Sequence, residues 1–168
     1  MKNKALLYVS LAIISIIALL IFIRLFSERQ LDDVTPGIPC DEELLKKADA
    51  YYIIPLFEGV SISENSSWCA YIQGYNKSLR LHGVYHEYNE FKSEKSGGYL
   101  EEGIASFEAC FNQTPTRFKA PQEAITFHNI KIIEETNLNF DWYANAVFHK
   151  VYHCNDSGVF SNRFIDFF

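Results

Sequence analysis

Two histidines lie four residues apart in the segment LRLHGVYHEYNEF, which covers residues 79–91. On a turn or at the start of a helix, His82 and His86 can face the same way. Two imidazoles and one carboxylate can hold a divalent metal and leave positions open for water and substrate. The adjacent carboxylates Asp32 and Asp33 are candidate sources of the third ligand. The spacing alone also fits two solvated loop histidines, so the prediction depends on the elements that position these groups.

The predicted elements place these groups at one end of a sheet. Short apolar segments alternate with helical segments, which favours an α/β fold with a mostly parallel sheet. In such folds ligand groups gather at the carboxyl ends of the strands, where Asp32, Asp33, His82 and His153 all fall. The predicted helices cover residues 40–52, 99–113 and 122–136. The first predicted strand ends in LDD. Further strands are predicted over residues 52–60 and 78–83 and within residues 114–121 and 141–154, and residues 61–67 are predicted as a loop.

A long apolar segment precedes these elements. Residues 5–23, ALLYVSLAIISIIALLIFI, form 19 positions without a charge. An α-helix needs about 20 apolar residues to cross a hydrocarbon core. A cleaved signal peptide has a shorter apolar core and an A-x-A-like site, and the following RLFSERQ contains no such site. The pattern therefore favours an uncleaved signal anchor over a cleaved signal peptide.

The charges around this segment predict the side of the membrane that each part occupies. Lys2 and Lys4 favour a cytoplasmic N-terminus, although Arg24 reduces that bias. We expect a single-pass membrane protein with three parts: a short cytoplasmic N-terminus at residues 1–4, a transmembrane signal anchor at residues 5–23 and one extracytoplasmic domain at residues 24–168.

Charge and cysteine content bound the partners and the compartment. The net charge of −6 argues against a nucleic-acid partner, because phosphate binding needs a basic surface. Four cysteines follow the apolar segment without a C-x-x-C pair, which suggests disulfides with three possible pairings rather than a thiolate zinc site. Four N-x-S/T sequons favour a glycosylated surface protein, although a polar surface rich in Asn and Ser also explains them. The sequons begin at Asn65, Asn76, Asn112 and Asn155.

Four segments of the chain together resemble the ordered motifs of one enzyme family. LDDVTPG, LRLHGVYHEYNEF, RFKAPQEAIT and VYHCNDSG are similar to motifs of the polysaccharide deacetylase (NodB-homology) family. The match is best with a poorly characterised branch of it, in which H-G-x-x-H is followed by an E-F pair. The resemblance extends over residues 29–160, with the first two motifs more specific than the last two. It implies a (β/α) barrel, reduced or irregular here because the chain is short, after one transmembrane helix.

The resemblance also implies a role for each matching residue. Asp32 matches the catalytic base and His153 the general acid, while Asp33, His82 and His86 match the metal ligands. Supporting positions are Glu90, which could hydrogen-bond a ligand histidine, Asp141, from a D-W pair that supports the late histidine, and Lys119. The implied cofactor is a divalent metal. Two histidines and a carboxylate suit Zn²⁺ first, and also iron, cobalt or nickel.

Lys119 is a departure from the family pattern. An arginine that pairs with the catalytic aspartate usually stands there, and lysine cannot form its bidentate fork. Arg117 lies two residues earlier and could substitute if the segment stays extended. Gln122 and Glu123 replace the usual aromatic-glycine pair, which puts sugar stacking there in doubt.

These features lead to an expected function and two alternatives. The expectation is a membrane-anchored, metal-dependent hydrolase that removes N- or O-acetyl groups from a carbohydrate, such as an envelope glycan. The first alternative is a non-catalytic glycan- or metal-binding module on the same fold. The second is a disulfide-stapled surface domain without a metal. A disulfide between Cys154 and Cys40 is expected if both lie on the site face.

Overall fold

The chain begins with one long helix, after which the domain folds around a sheet. The computed structural model describes residues 2–142 and 144–168. Helix α1 runs over Lys2–Phe26. Within it, Leu6–Phe26 is long and apolar enough to cross a membrane, with a mean hydropathy of 3.0. Most of its apolar side chains are exposed rather than packed on the domain. A helix that crosses a hydrocarbon core exposes its apolar side chains in this way.

Six parallel strands form one sheet. They are β1 (Arg29–Val34), β2 (Ala50–Ile53), β3 (Ser78–His82), β4 (Arg117–Lys119), β5 (Asn139–Phe140) and β6 (Lys150–His153). Their order across the sheet is β5-β4-β3-β2-β1-β6, and each neighbouring pair is parallel. Within the described residues no ladder joins β5 to β6, so the sheet is a reduced form of a closed barrel. The predicted parallel α/β fold is confirmed.

Helices connect the strands and begin at side-chain caps. They are α2 (Glu42–Lys47), α3 (Ser66–Gln73), α4 (Gly97–Phe111), α5 (Phe127–Glu135), α6 (Asn145–Phe148) and α7 (Asn162–Phe167). Five of the six are capped by a side chain that accepts a backbone N–H of the first turn; α6 has no such cap. Helix α4 buries Leu100, Phe107 and Phe111 against the core.

Some boundaries differ from the prediction. The helix predicted over residues 40–52 ends at Lys47, because Tyr51 and Tyr52 are fully buried in β2. The strand predicted over residues 52–60 ends at Ile53, just before Pro55, which has no N–H for a ladder. The loop predicted over residues 61–67 contains the start of α3, for which Asn65 is the cap.

Two disulfides close the domain. Cys40 pairs with Cys154, as expected, and joins the loop after β1 to the end of β6. Cys69 pairs with Cys110 and joins α3 to α4. All four sequon asparagines are exposed, and their glycosylation stays a prediction.

Candidate metal centre

The two aspartates reach the site because β1 is irregular at its end. Asp32 lies opposite His153 in the ladder between β1 and β6. The register of β1 against β2 shifts between Leu31 and Val34, and Asp33 has a positive φ of 63°. In a regular strand adjacent side chains point to opposite faces. The irregularity instead brings both buried carboxylates to one cluster of histidines.

His82 and His86 converge on one oxygen of Asp33. The Nε2 atoms of His82 and His86 lie 3.3 and 2.9 Å from Asp33 Oδ1. His82 is the last residue of β3, and His86 follows in the loop. One ligand atom from each of these three residues lies within 4.8 Å of the others. The structure therefore brings together the three residues that the sequence predicted as metal ligands.

The electrostatics of the cluster lower the pKa of Asp33 and raise the pKa of His82. Burial raises the pKa of Asp33, but the nearby imidazoles of His82 and His86 outweigh burial and hold it far below its usual value. Burial lowers the pKa of His82, but the negative charges of Asp32 and Asp33 reverse that effect and raise it. A bound cation would compete with protons for the imidazole nitrogens and the carboxylate oxygens of this cluster.

Asp32 is held by Lys119 on its other side. Lys119 Nζ lies 2.7 Å from Asp32 Oδ1 and donates to the side-chain carbonyl of Gln30 at the same distance. Burial raises the pKa of Asp32, but the charges of Lys119 and two histidines lower it below the usual value. Lys119 therefore pairs with Asp32 as a point charge, where the family pattern has arginine.

His153 ends β6, and His82 ends β3, on the two sides of β1 in the sheet. His153 Nε2 is 3.8 Å from Asp32 Oδ2, and His82 Nε2 is 3.9 Å from the same oxygen. Asn162 brackets the backbone of His153 by accepting from its N–H and donating to its carbonyl. Gly158 lies against the imidazole so closely that a Cβ there would overlap the ring. The side chain keeps 24% of its surface exposed, which makes it accessible to a substrate.

Glu90 fixes the loop that carries His86. Its buried carboxylate accepts the backbone N–H groups of Val84, Tyr85 and His86 at 2.9, 2.9 and 3.0 Å, and the hydroxyl of Tyr99 at 2.7 Å. A Cβ at Gly83, where φ is +65°, would meet this carboxylate and Pro121. Glu90 thus supports the histidine through its backbone, whereas the sequence suggested a bond to an imidazole.

Asp141 and Arg117 lie in a different network. Asp141 accepts from the Tyr52 hydroxyl at 2.8 Å and from Arg117 Nε at 3.0 Å. No contact joins Asp141 to His153 among the described residues, so the structure shows no direct support of the late histidine. Arg117 pairs with Asp141, and Lys119 rather than Arg117 takes the place beside Asp32.

Three residues of the site escaped the sequence analysis. Ser157 donates its hydroxyl to Asp33 Oδ2, and it had appeared only as the serine of a sequon. Gln30 and Asn145 exchange hydrogen bonds and complete the surroundings of Lys119. Alternation along β1 could have indicated Gln30, because it shares a strand face with Asp32.

The donor set fits a divalent metal. Asp33 Oδ1 is buried and lacks a geometrically acceptable hydrogen bond, although two imidazole nitrogens lie near it. Buried polar atoms are rarely left in that state without a ligand or ion. Two imidazole nitrogens and one carboxylate oxygen on one side leave the remaining coordination positions open, as catalytic metal sites require.

Comparison with known proteins identifies the fold. The sequence matches no family model and no curated protein. Among solved structures, a CE4 family pseudoenzyme from Bacillus anthracis matches with a TM-score of 0.51 at 18% identity, over 70% of this chain and 43% of that chain. A mutant described as a CE4 family pseudoenzyme matches with a TM-score of 0.53 at 19% identity, over 67% and 42%. A further mutant, described as having restored enzymatic activity, matches with a TM-score of 0.53 at 20% identity, over 67% and 42%.

These matches confirm the fold that the sequence resemblance implied. The chain has the parallel α/β fold of CE4 deacetylase domains. It aligns with less than half the length of the chains matched above, 42% to 43%. Activity, substrate and partners therefore belong to the proposal that follows.

Proposed function

We propose that the chain is a membrane-anchored, metal-dependent deacetylase that removes an acetyl group from a carbohydrate. One observation carries the proposal: Asp32, Asp33, His82, His86 and His153 come from three strand ends and one loop, and meet within a few ångströms. Deacetylation of an amide or ester needs a base, an acid and an electrophile around one carbon. This cluster offers all three functions on the fold that CE4 proteins share.

Asp33, His82 and His86 would hold the metal. When bound, a divalent metal such as Zn²⁺ polarises a carbonyl and makes water more acidic. The buried Oδ1 of Asp33 faces both Nε2 atoms, and Ser157 fixes the other carboxylate oxygen by donating to it. Glu90 holds the loop of His86 in place. These contacts orient the donors before a metal arrives.

Asp32 is suited to take a proton from the attacking water. Lys119 lowers its pKa against the effect of burial, so the carboxylate is ionised at neutral pH. Its Oδ1 is bound by Lys119, and its Oδ2 faces His82 and His153 and accepts no hydrogen bond from the residues that the structure describes. That oxygen is free to accept a proton from water.

His153 is suited to give a proton to the leaving group. Its Nε2 lies 3.8 Å from Asp32 Oδ2, and its side chain is more exposed than that of His82. Expulsion of an amine or alkoxide requires a proton donor within reach of the leaving atom.

The membrane placement is also proposed. The span Leu6–Phe26 supports an anchor by its length and composition. Two residues separate α1 from β1, so the domain would lie next to the bilayer on the extracytoplasmic side. A glycan close to the membrane is then the substrate that this geometry favours.

A non-catalytic module is the second candidate, and two observations favour it. The matched solved structures include CE4 pseudoenzymes. Lys119 bonds Asp32 directly at 2.7 Å, and this ion pair would hinder proton transfer if it did not loosen in the substrate complex. A catalytic test separates this module from the enzyme.

The test is acetate release by the full-length protein from N-acetylated glycan oligomers, with and without added Zn²⁺. The enzyme predicts metal-dependent release that Asp32→Asn abolishes while metal content stays near one equivalent. Metal binding without acetate release from any N- or O-acetylated glycan would favour the binding module. Absence of metal after zinc is supplied would contradict the enzyme and a metal-binding module, and would leave a glycan-binding module or a disulfide-stapled surface domain.

A further inference from the structure

A second polar region lies at the other end of the sheet, where β1, β2 and β6 begin and α1 ends. A groove of about 680 Å³ opens there. Its charged lining residues are Arg24, Arg29, Lys47, Lys150, Asp49 and Asp166. We refer to it as the basal groove. It has more basic than acidic side chains although the whole chain has a net charge of −6.

Two of the four cations in the basal groove lack a carboxylate partner. Arg29 pairs with Asp49 through two hydrogen bonds, and Lys47 pairs with Asp166. Lys150 Nζ instead donates to the backbone carbonyl of Asp166 at 3.0 Å. Burial lowers the pKa of Lys150, and nearby cations add to that effect against the charge of Asp166. The positive charge there is incompletely compensated.

Arg24 is the other cation without a carboxylate partner. Its guanidinium donates through one nitrogen to the carbonyl oxygens of Ala146 and Val147, at 2.6 and 3.0 Å. The side chain is only 4% exposed, and its Nε has no hydrogen-bond partner among the described residues. Arg24 thus brings to the groove a positive charge that no carboxylate among the described residues compensates, which favours an anionic ligand there.

The position of the basal groove specifies the source of that anion. Arg24 belongs to the last turn of the candidate span Leu6–Phe26, and Leu25 and Phe26 also line the groove. The guanidinium of Arg24 lies 5.3 Å from the ring centroid of Phe168, and Phe167 beside it is 91% exposed. Cations at the end of a membrane helix lie at the level of lipid headgroups, and the exposed ring of Phe167 is an apolar group for lipid to cover.

We propose that the basal groove binds the phosphate of an anionic phospholipid headgroup in the leaflet from which the domain emerges. The inference rests on the membrane placement of α1 in the proposed function. Arg24 and Lys150 supply the uncompensated charge, and the apolar end of α1 lies beside the lipid acyl chains. The bound lipid fixes the domain against the bilayer where β1 begins, and the metal centre lies at the other end of the same short strand, within reach of a glycan close to the membrane.

The test compares lipid binding by variants of the full-length protein. The protein is held in a neutral detergent and titrated with phosphatidylglycerol, phosphatidylcholine or inorganic phosphate, and the thermal midpoint Tm is followed. Phosphatidylglycerol is expected to raise Tm, while the other two leave it unchanged at equal concentration. Lys150→Gln keeps a donor for the Asp166 carbonyl and removes the charge. It is expected to raise the apparent Kd for phosphatidylglycerol about fivefold.

Lys131→Gln is the matched control, because Lys131 is an exposed lysine on α5, and it should bind as the unmodified protein does. Equal responses to phosphatidylglycerol and phosphatidylcholine, or equal Kd values for the two variants, would overturn the proposal. An equal response to inorganic phosphate would overturn the assignment to lipid.

Two further measurements separate this inference from the proposed function. Release of the protein from membranes by alkaline washing would overturn the anchor, and the lipid inference with it. Acetate release by Lys150→Gln should equal that of the unmodified protein, because Lys150 begins β6 and His153 ends it. If phosphatidylglycerol does not bind while acetate release is normal, the lipid site in the basal groove is contradicted and the proposed function is not.

Discussion

Two buried charge clusters lie inside this sheet, and they differ in how completely their charges are partnered. In the first, Arg80 donates to Glu28 and to the Tyr52 hydroxyl, and Tyr52 donates in turn to Asp141, which Arg117 also contacts. Each cation there has a carboxylate, and each carboxylate has fixed donors. We call this cluster the closed network.

The metal centre lacks that completeness. Asp33 Oδ1 and His153 Nδ1 are buried and have no hydrogen-bond partner in the described part of the chain, and three imidazoles converge on two carboxylates. A satisfied network stabilises one conformation, whereas a cluster of unsatisfied donors and acceptors is stabilised by a ligand that completes it. The difference teaches that burial of charge does not mark a functional site, and that incomplete partnering does.

The largest expected effect is loss of metal from the incompletely partnered cluster. His82→Ala combined with His86→Ala removes two of three ligands, so metal content should fall from about one equivalent to near zero, and acetate release with it. Elemental analysis of the purified full-length protein measures this. His128→Ala, at an exposed histidine of α5, should keep its metal. Equal metal content in both variants would place the metal elsewhere.

A substitution in the closed network should lower the stability of the protein and leave its metal content unchanged. Arg80→Met removes a guanidinium that is 6% exposed, leaves the Tyr52 hydroxyl without that donor, and leaves Glu28 with the Gln30 amide alone. Breaking a buried ion pair costs about 3 kcal/mol, which lowers Tm by about 6–12 °C for a chain of this size. Metal content should stay near one equivalent.

Arg163→Met serves as the control for that measurement, because Arg163 is exposed on α7. Its Tm should change little. If Arg80→Met lost its metal while keeping its Tm, the distinction between the two clusters would be wrong.

Lys119 tests the boundary between the clusters, because it is fully partnered yet touches the proposed base. Burial raises the pKa of Asp32, and Lys119 is the first of the charges that lower it. Lys119→Met should therefore raise that pKa. Asp32 accepts a proton only when ionised, so the acid limb of kcat/KM moves to higher pH. At a pH below both acid limbs, kcat/KM of Lys119→Met should be about tenfold lower than that of the unmodified protein for each unit by which the pKa of Asp32 rises.

Lys119→Arg keeps the charge and matches the residue usual in the family pattern, so its acid limb should stay close to that of the unmodified protein. A pH profile of kcat/KM for the three proteins measures this. Coincident acid limbs for Lys119→Met and the unmodified protein would show that Asp32 is not the base.

The sequence predicted the parallel sheet and the five residues that meet at its end because both follow from local patterns. Apolar segments of strand length alternate with helices, and strands in such folds end on one side. The convergence of Asp32 and Asp33 on one cluster required the irregular end of β1, with its positive φ at Asp33. Alternation in a regular strand predicts opposite faces, and no local signal in LDDV indicates the bulge.

Other features depended on tertiary structure that local patterns do not contain. The helix predicted over residues 40–52 wrongly included Tyr51 and Tyr52. Both tyrosines are buried in β2 by neighbouring strands, and the local sequence does not show those strands. Ser157 was interpreted as part of a sequon, since its hydroxyl reaches Asp33 across 124 residues of sequence. Long-range hydrogen bonds of this kind leave no periodicity in the sequence.

The smallest expected effect is that of a substitution at Glu90. This carboxylate is fully partnered, as in the closed network, but it supports the loop of His86 in the metal centre. It accepts three backbone N–H groups in the loop of His86. Glu90→Gln keeps the shape but turns an amide donor toward one of those N–H groups, so the loop loses its fixed position. Outer-shell changes of this kind weaken metal affinity by about 10-fold or somewhat more. Competition with a chelator of known affinity measures the change, with Glu94→Gln, at an exposed residue of the same region, as the control. An unchanged affinity in Glu90→Gln would mean that the cluster orders His86 without help from its surroundings. Incomplete partnering would then be sufficient by itself to define the site.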